Sequence, residues 1–162
     1  MSMNVIIRPA KMGEASYVSY FNMEIYRKQY QFNPCFEIYA LDAMAWMMHN
    51  PEGSCLYVAC IDDKIVGSIQ ILKQDEDTAQ LRWFAVDANY RGCGIGSKLM
   101  DNAKAYCIKH GYNHVYLGTI DFLQEARKLY AKYGFELTET WENKDWMKTP
   151  LTEERWDLKT WK

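Results

Sequence analysis

Residues 91–97, Arg-Gly-Cys-Gly-Ile-Gly-Ser, have the composition of a turn that binds an anion. The first amides of a helix have no internal acceptors, and the helix dipole adds partial positive charge there. Glycines at 92, 94 and 96 would let a phosphate approach those amides, and the guanidinium of Arg91 adds a full charge. The segment therefore predicts a phosphate site, with a tight connector that binds no ligand as the alternative.

The segments on both sides of this turn would hold it between a strand and a helix. Residues 81–86 are apolar and aromatic, which favours a strand. After the turn, apolar residues recur at helical spacing, and Gly111 ends the pattern after the basic residues Lys109 and His110. These apolar residues are Ile95, Leu99, Met100, Ala103, Tyr106 and Cys107. A strand, a glycine-rich turn and an amphipathic helix are thus predicted in succession.

Two well-known phosphate motifs fit this turn poorly. A P-loop needs a lysine and then Ser or Thr after its last glycine, but Ser97 and Lys98 stand in the reverse order. A dinucleotide fingerprint needs a glycine where Ser97 stands, and more parallel strand–helix units than the remaining chain provides. Asp121, just past the next predicted strand, could serve as a ribose-binding carboxylate, so a nicotinamide-dependent oxidoreductase stays an alternative.

A third motif fits better. Residues 91–96 resemble the Arg/Gln-x-x-Gly-x-Gly/Ala pyrophosphate loop of the GNAT superfamily of N-acetyltransferases, which bind acetyl-coenzyme A (acetyl-CoA). The Leu-Tyr-x-x-x-Gly-Phe pattern of residues 129–135 resembles the second hallmark of that family. The resemblance covers roughly residues 56–139. Residues 81–84 and 151–158 also look like the acetyltransferase half of MarR–GNAT fusion proteins, although this chain has no DNA-binding half.

The resemblance implies a fold and an organisation. The expected fold is α/β, a GNAT-like mixed and mostly antiparallel central sheet flanked by helices on both faces. Residues 1–162 would form a single GNAT acetyltransferase domain. In such folds the strands that match residues 78–86 and 115–119 splay apart and admit the pantetheine arm of the cosubstrate.

The resemblance also implies roles for particular residues. The backbone of Phe84, Ala85 and Val86 would pair with pantetheine amides. Tyr130 matches the tyrosine that commonly serves as general acid, and an ordinary tyrosine pKa near ~10 keeps it protonated at neutral pH. The alternative is that Tyr130 is a core aromatic residue. The pyrophosphate would be held by Arg91, Gly92, Cys93, Gly94, Ile95, Gly96 and Ser97.

Other candidate positions are less defined. Leu123 stands where many GNAT members carry an asparagine that contacts the cofactor. A general base could be Glu24, Glu37, Asp121 or a water chain. Aromatic residues within 26–39 fall where the family forms its acceptor pocket. The Cys93 thiol lies at a predicted helix N-terminus, where a thiol pKa falls, but an acyl-carrying role is not expected of it.

These features predict an N-acetyltransferase. It would move an acetyl group from acetyl-CoA to a primary amine of a small molecule or peptide, by direct attack within a ternary complex. Acetyl transfer of this kind needs a bound thioester, a neutral amine and a proton for the leaving thiolate. The alternatives are a non-catalytic acyl-CoA sensor and, less well supported, the oxidoreductase.

Composition restricts the kinds of binding partner and the cellular location that we expect for this chain. The chain has 162 residues and a formal net charge of −2, which does not favour binding to nucleic acid or an anionic membrane. It has no apolar run of membrane-spanning length and no secretory pattern at its start, so a cytoplasmic location is expected. Five cysteines without a C-x-x-C pair and three histidines without ligand spacing predict no metal site. The sequence permits a homodimer but does not indicate one.

Hydrophobic periodicity and turn residues predict the remaining elements. Residues 26–39 are expected to be irregular because Asn33-Pro34 interrupts them, and Asp121 with Gln124 is expected to form a capping box. An antiparallel hairpin is expected around Asp62-Asp63. The predicted strands are 5–8, 56–61, 65–72, 78–86, 115–119, 135–141 and 155–159. The predicted helices are 13–26, 41–49, the helix that follows the glycine-rich turn and is ended by Gly111, and 122–133.

Overall fold

The structure, a computed structural model, describes residues 3–161 as one seven-stranded sheet with four helices. The strands are β1 (Ile6–Pro9), β2 (Cys55–Ile61), β3 (Lys64–Lys73), β4 (Thr78–Val86), β5 (His114–Ile120), β6 (Glu136–Asn143) and β7 (Leu151–Lys159). The helices are α1 (Glu14–Tyr30), α2 (Pro34–His49), α3 (Ile95–Lys109) and α4 (Gln124–Lys132). Within residues 3–161, none of these helices combines the length and the apolarity that a bilayer crossing needs.

The strands lie in the order β1-β2-β3-β4-β5-β7-β6. Every neighbouring pair is antiparallel except β4 and β5, which run parallel. The one parallel pair among the strands of residues 3–161 is joined by a crossover that contains α3, and parallel neighbours need a crossover of this kind. The predicted mixed, mostly antiparallel sheet is confirmed.

Helices cover both faces of the sheet, as predicted. On one face, Val18 of α1 and Met44 and Met47 of α2 pack with apolar residues of β2 and β3. On the other face, α3 and α4 cover the larger core, which includes Leu99 and Tyr130. The amphipathic pattern read for α3 is also confirmed, because five of its six predicted apolar residues are buried. Tyr106 is the exception and is partly buried.

The hairpin between β2 and β3 turns at Asp62 and Asp63, as predicted. Both residues have positive φ, 49° and 64°, which is the conformation of the two-residue turns that suit the twist of paired strands. Aspartate tolerates this conformation better than most residues do.

The prediction of an irregular segment over residues 26–39 is wrong. Helix α1 continues to Tyr30, and α2 begins at Pro34, so that only residues 31–33 are non-helical. Pro34 occupies the first position of α2, where its missing N–H costs nothing and its fixed φ suits the helix. The Asn33-Pro34 pair therefore starts a helix instead of breaking one.

Two boundaries near the C-terminal half also differ from the prediction. Asp121 does not cap α4, which begins at Gln124 after Leu123 and has no side-chain cap. Gln124 reaches back to the backbone carbonyl of Asp121 at 2.9 Å, which closes a turn before the helix. The connection between β6 and β7 is also shorter than the gap between the predicted strands 135–141 and 155–159, because the two strands pair as far as Asn143 and Leu151.

One buried ion pair joins α4 to β7. The guanidinium of Arg127 donates from Nε and Nη2 to the two carboxylate oxygens of Glu154, at 2.9 and 3.1 Å. Glu154 is only 3% exposed and also accepts a hydrogen bond from Trp156 Nε1 at 3.2 Å. A buried carboxylate without its partner is costly, so this pair stabilises the contact between helix and sheet.

Replacing Arg127 with Met should therefore lower the free energy of unfolding by about 1–3 kcal/mol, since it leaves Glu154 buried without its cation. Lys128→Met is the matched control, because Lys128 and its partner Glu125 are exposed. Exposed pairs of this kind contribute roughly 0–1 kcal/mol. Urea unfolding of the three proteins makes the comparison. An equal decrease in the free energy of unfolding in both variants would show that the Arg127–Glu154 pair does not stabilise the fold.

Candidate active site

The sheet opens between its two parallel strands. Strands β4 and β5 pair only from Thr78 to Leu81 and from His114 to Leu117. Beyond these residues β5 continues on β7, while β4 continues on β3. The edge of β4 over residues 82–86 therefore faces a gap, as the resemblance predicted for the pantetheine arm.

A β-bulge at Trp83 turns β4 away from β5. In the β3–β4 register Gln70 faces Arg82 and Ser68 faces Ala85, so two residues of β4 oppose one of β3. Trp83 has φ 51°, a conformation that costs a non-glycine residue roughly 1–2 kcal/mol. Ser68 Oγ donates to the Trp83 carbonyl at 2.6 Å and stabilises the bulge.

A cleft of about 590 Å³ lies along this open edge. Phe84, Ala85 and Val86 form one side of it, and residues of α4 form the other. It extends to Arg91, Gly92, Gly94, Ile95, Gly96 and Ser97. The structure thus brings nine of the ten predicted cofactor-binding residues to one cleft.

The N-terminus of α3 supplies unpaired amides at the end of this cleft. Lys98 is the first residue of α3 whose N–H donates back to a carbonyl, that of Gly94 at 3.1 Å, whereas the amides of residues 95–97 have no backbone acceptor within residues 3–161. Gly94 precedes the helix with φ 79°, and a Cβ there would meet nothing within 4 Å. Arg91 is exposed beside these amides, and within residues 3–161 its side chain makes one hydrogen bond, to Gln29 Oε1 at 3.5 Å.

Cys93 is the predicted cofactor-binding residue that does not line the cleft. Its side chain is exposed, and its thiol contacts the Arg91 carbonyl at 3.8 Å. A contribution of Cys93 to anion binding would therefore come from its backbone.

A second cavity of about 180 Å³ adjoins the cleft across the sheet. Both share Tyr26, Phe84, Leu123 and Ala126 in their walls. Tyr130 lines the second cavity and is 6% exposed. The predicted acid therefore lies next to the end of the cleft that is away from the glycine-rich turn.

Aromatic rings hold Tyr130 in place on several sides. The ring of Phe84 lies 6.1 Å from it, and those of Phe135 and Trp156 lie at 6.2 and 6.5 Å. Burial raises the pKa of Tyr130 above its ordinary value, and the neighbouring Tyr26 adds to this effect. Burial likewise raises the pKa of Tyr26 to about 12. Both hydroxyls consequently stay protonated through neutral pH.

The aromatic residues of segment 26–39 do line a cavity, although they belong to helices. Phe36 and Tyr39 pack against Trp146, which lies in the turn between β6 and β7, and Tyr26 packs against Phe36. This turn is fixed to the α1–α2 connection, since the N–H of Asn33 donates to the Trp146 carbonyl at 2.6 Å. Residues far apart in the sequence thus close one wall of the second cavity.

None of the three predicted bases lines either cavity. Glu24 is paired with Arg27 and Lys28, and these partners lower its pKa. Glu37 is exposed, and Asp121 lies in the turn before α4. The carboxylate that does line the second cavity is Glu153 of β7.

Sequence analysis missed several residues of the second cavity because nothing in their spacing marks them. Glu153 accepts hydrogen bonds from Trp141 Nε1 at 2.7 Å and Asn143 Nδ2 at 3.1 Å. The buried Asn22 of α1 donates to the Val18 carbonyl and contacts Ser68 Oγ. In the sequence, only the alternation of apolar and polar residues along β7 could have indicated which face of the sheet Glu153 points to.

Sequence comparison identifies the family. The profile of the acetyltransferase (GNAT) family matches residues 20–135, more than half of the chain. The chain belongs to the GNAT acetyltransferase family. The family predicted from the glycine-rich turn and the Leu-Tyr-x-x-x-Gly-Phe pattern is therefore confirmed.

Individual relatives agree with this assignment. Human N-acetylaspartate synthetase is 37% identical over 86 residues, which are 52% of this chain and only 28% of that protein. A GNAT acetyltransferase from Staphylococcus aureus has the same fold with TM-score 0.80, at 21% identity, over 96% of this chain and 99% of its own. One from Elizabethkingia anophelis, solved with acetyl-CoA bound, gives TM-score 0.66 at 17% identity over 97% and 99%.

Among residues 3–161 no three His, Cys, Asp or Glu side chains gather closely enough to hold a metal ion.

Proposed function

We propose that this GNAT protein transfers an acetyl group from acetyl-CoA to a primary amine by direct attack within a ternary complex. The observation that carries the proposal is the junction of two spaces. A cleft with unpaired strand and helix amides meets a cavity that contains a protonated tyrosine. When bound, acetyl-CoA supplies the thioester that the amine attacks.

The cleft residues fit the two polar parts of this cosubstrate. The open edge of β4 at Phe84, Ala85 and Val86 offers backbone groups to the amides of a pantetheine arm, much as a further strand would. The free amides of residues 95–97 and the guanidinium of Arg91 suit a pyrophosphate. Leu123 replaces the expected asparagine and lines the cleft, so that it offers contact area there instead of a hydrogen bond.

Tyr130 is proposed to donate the proton that the leaving thiolate needs. Its hydroxyl makes no hydrogen bond within residues 3–161, in contrast to Tyr112 and Tyr133, which donate to backbone carbonyls. Since burial raises its pKa, the proton is retained until a stronger base approaches. Ionisation of Tyr130 should therefore cause no loss of rate up to about pH 10.

The non-catalytic sensor would share the cleft but transfer nothing, and only an assay of turnover separates the two functions. The single-domain organisation over residues 1–162, the cytoplasmic location and a homodimer stay predictions. The likeness of residues 81–84 and 151–158 to the MarR–GNAT fusion proteins stays a prediction as well.

Replacing Gly94 with Val should weaken binding of coenzyme A by about tenfold or more, because the side chain would project where phosphate meets the α3 amides. The positive φ adds strain in any variant of this kind. Gly111→Val is the control, since Gly111 has φ 73°, equally open surroundings and a place at the other end of α3. Calorimetry with coenzyme A and thermal melting separate binding from strain. Equal affinities in the two variants would remove the anion site from the glycine-rich turn.

Replacing Tyr130 with Phe should lower kcat by about 10²–10⁴, the usual effect of losing a positioned proton donor. Its melting temperature and affinity for coenzyme A should change little, because the lost hydroxyl makes no hydrogen bond to any residue that the structure describes. Tyr112→Phe should behave in the opposite way, since its hydroxyl donates to the Gly53 carbonyl at 2.5 Å, outside both cavities. We expect about 1 kcal/mol less stability there, and normal turnover.

The assay monitors thiol release with a panel of amines. Unchanged turnover in Tyr130→Phe would make Tyr130 a packing residue. Tight binding of coenzyme A without turnover of any amine would favour the sensor.

Replacing Cys93 with Ala should keep most of the activity, because the amine attacks the thioester directly and the thiol lies outside the cleft. Mass spectrometry after mixing the protein with acetyl-CoA, without an acceptor, should find no stoichiometric acetyl group on Cys93. An acetylated Cys93 together with an inactive alanine variant would instead indicate a covalent mechanism.

A further inference from the structure

The second cavity, which we call the acceptor cavity, has two charged side chains in its wall. Of its 22 lining residues, Arg82 and Glu153 are the only ones that carry a charge at neutral pH. The remaining wall is aromatic, apolar or neutral and polar. Whatever enters the cavity therefore meets one cation and one anion.

Arg82 differs from most other arginines in the chain because it has no acidic partner. Arg8, Arg27, Arg127 and Arg155 each pair with a carboxylate, as the structure shows for residues 3–161. The two arginines without such a pair are Arg91, at the predicted pyrophosphate site, and Arg82. A half-buried guanidinium without a carboxylate is well suited to an anionic group of a ligand.

The position of Arg82 is well defined although its guanidinium is free to bind. The guanidinium carbon lies 5.2 Å from the ring centroid of Tyr39, which holds the side chain over one wall of the cavity. The backbone of Arg82 directly precedes the bulge at Trp83. An arginine oriented in this way loses less freedom on binding a carboxylate than a mobile one would.

Glu153 lies on the same face of the sheet as Arg82. Its neighbour Glu154 points to α4, so by the alternation of a strand Glu153 points to the face covered by α1 and α2, where Arg82 meets Tyr39. Strand β5 lies between β4 and β7, and its Gly118 also lines the cavity. A Cβ at Gly118 would meet only the Glu154 carbonyl at 3.9 Å, so the space over Gly118 is open.

Two residues that line the acceptor cavity each have a buried polar atom without a hydrogen-bond partner within residues 3–161. These atoms are Trp83 Nε1 and Oγ1 of Thr119, which is 9% exposed and, opposite Glu154 on β7, points to the α4 side of the sheet. Buried polar groups without a partner are uncommon in folded proteins and indicate that a polar ligand or water satisfies them.

From these contacts we infer that the acceptor is an amine that also bears a carboxylate, and that Arg82 binds the carboxylate while Glu153 attracts the ammonium group. The inference rests on the proposed acetyl transfer and names its substrate class. Planar guanidinium and carboxylate groups match in two parallel hydrogen bonds, which gives orientation as well as affinity. The small volume of the cavity favours amino acids over longer peptides.

The test compares amino acids with their own amides as acceptors. Each pair differs in one group, and the amide has the less basic amine, so that intrinsic reactivity at neutral pH favours the amide. We expect the acid to have the higher kcat/KM and to bind the protein–coenzyme A complex about tenfold or more tightly by calorimetry. O-phosphoethanolamine is included because a guanidinium also binds phosphate. A preference for the amides, or for the phosphate compound, would overturn the inference.

Variants of Arg82 then test whether this residue causes the preference for the acid over its amide. Arg82→Gln should reduce the ratio of kcat/KM for the acid to kcat/KM for its amide to about one. Arg82→Lys should keep part of this preference, because lysine keeps the positive charge but not the two parallel donors of a guanidinium. Arg155→Gln is the matched control, since Arg155 lies 4.0 Å from the ring of Tyr116 outside the cavity and pairs with Asp157. An undiminished preference in Arg82→Gln would also overturn the inference.

Gly118→Val tests the location independently of charge. Valine suits a strand, and its side chain would fill the open space over Gly118 in the wall of the acceptor cavity. We expect it to abolish binding of acid and amide alike while coenzyme A still binds normally. Normal binding of amino acids to this variant would place the acceptor elsewhere.

The binding measurement separates this inference from the proposed function. If neutral amines are acetylated and acids are neither bound nor acetylated, acetyl transfer stands and the carboxylate site does not. If acids bind in a manner that depends on Arg82 but no acetyl group is transferred, the site stands and the proposed function fails.

Discussion

The separation of β4 from β5 is the constraint on which the candidate site depends. Four residue pairs hold these parallel strands together, and the bulge at Trp83 then directs β4 away from β5. The unfavourable φ of Trp83 persists because Ser68 Oγ binds its carbonyl, and Asn22 lies against Ser68 from α1. A strained residue is thus supported from a neighbouring strand and from a helix, which is the usual condition for strain at a functional site.

The gap has consequences on both faces of the sheet. Toward α3 and α4 it exposes backbone groups of β4 next to the free amides of α3, which together make a long polar cleft. Toward α1 and α2 it opens the acceptor cavity beneath aromatic residues of α1, α2 and the β6–β7 turn. Tyr130 reaches the junction because the Arg127–Glu154 pair and three aromatic neighbours hold α4 against the sheet. A regular sheet would have separated these two spaces completely.

Much of the fold could be predicted from the sequence because the signals are local. The β2–β3 hairpin follows from its two aspartates, and the amphipathic pattern of α3 follows from apolar spacing. The errors occur where one local signal has two structural meanings. Asn33-Pro34 ends many helices, but a proline is equally suited to a first helical turn, and α2 uses it in that way. Asp121 and Gln124 have the spacing of a capping box, but the chain first completes a turn between them.

The sequence by itself determined the family, the glycine-rich turn and Tyr130 as a candidate, since each is a motif of neighbouring residues. The tertiary structure alone decided which side chains share the acceptor cavity. Arg82 and Glu153 stand 71 positions apart in the chain, yet strand order places them on one face of the sheet, on strands β4 and β7 that flank β5. Alternation along a strand tells which side chains share a face, but only long-range strand pairing decides which strands are neighbours. That Arg82 has no carboxylate partner within residues 3–161 is likewise visible only once the pairs of the other arginines are known.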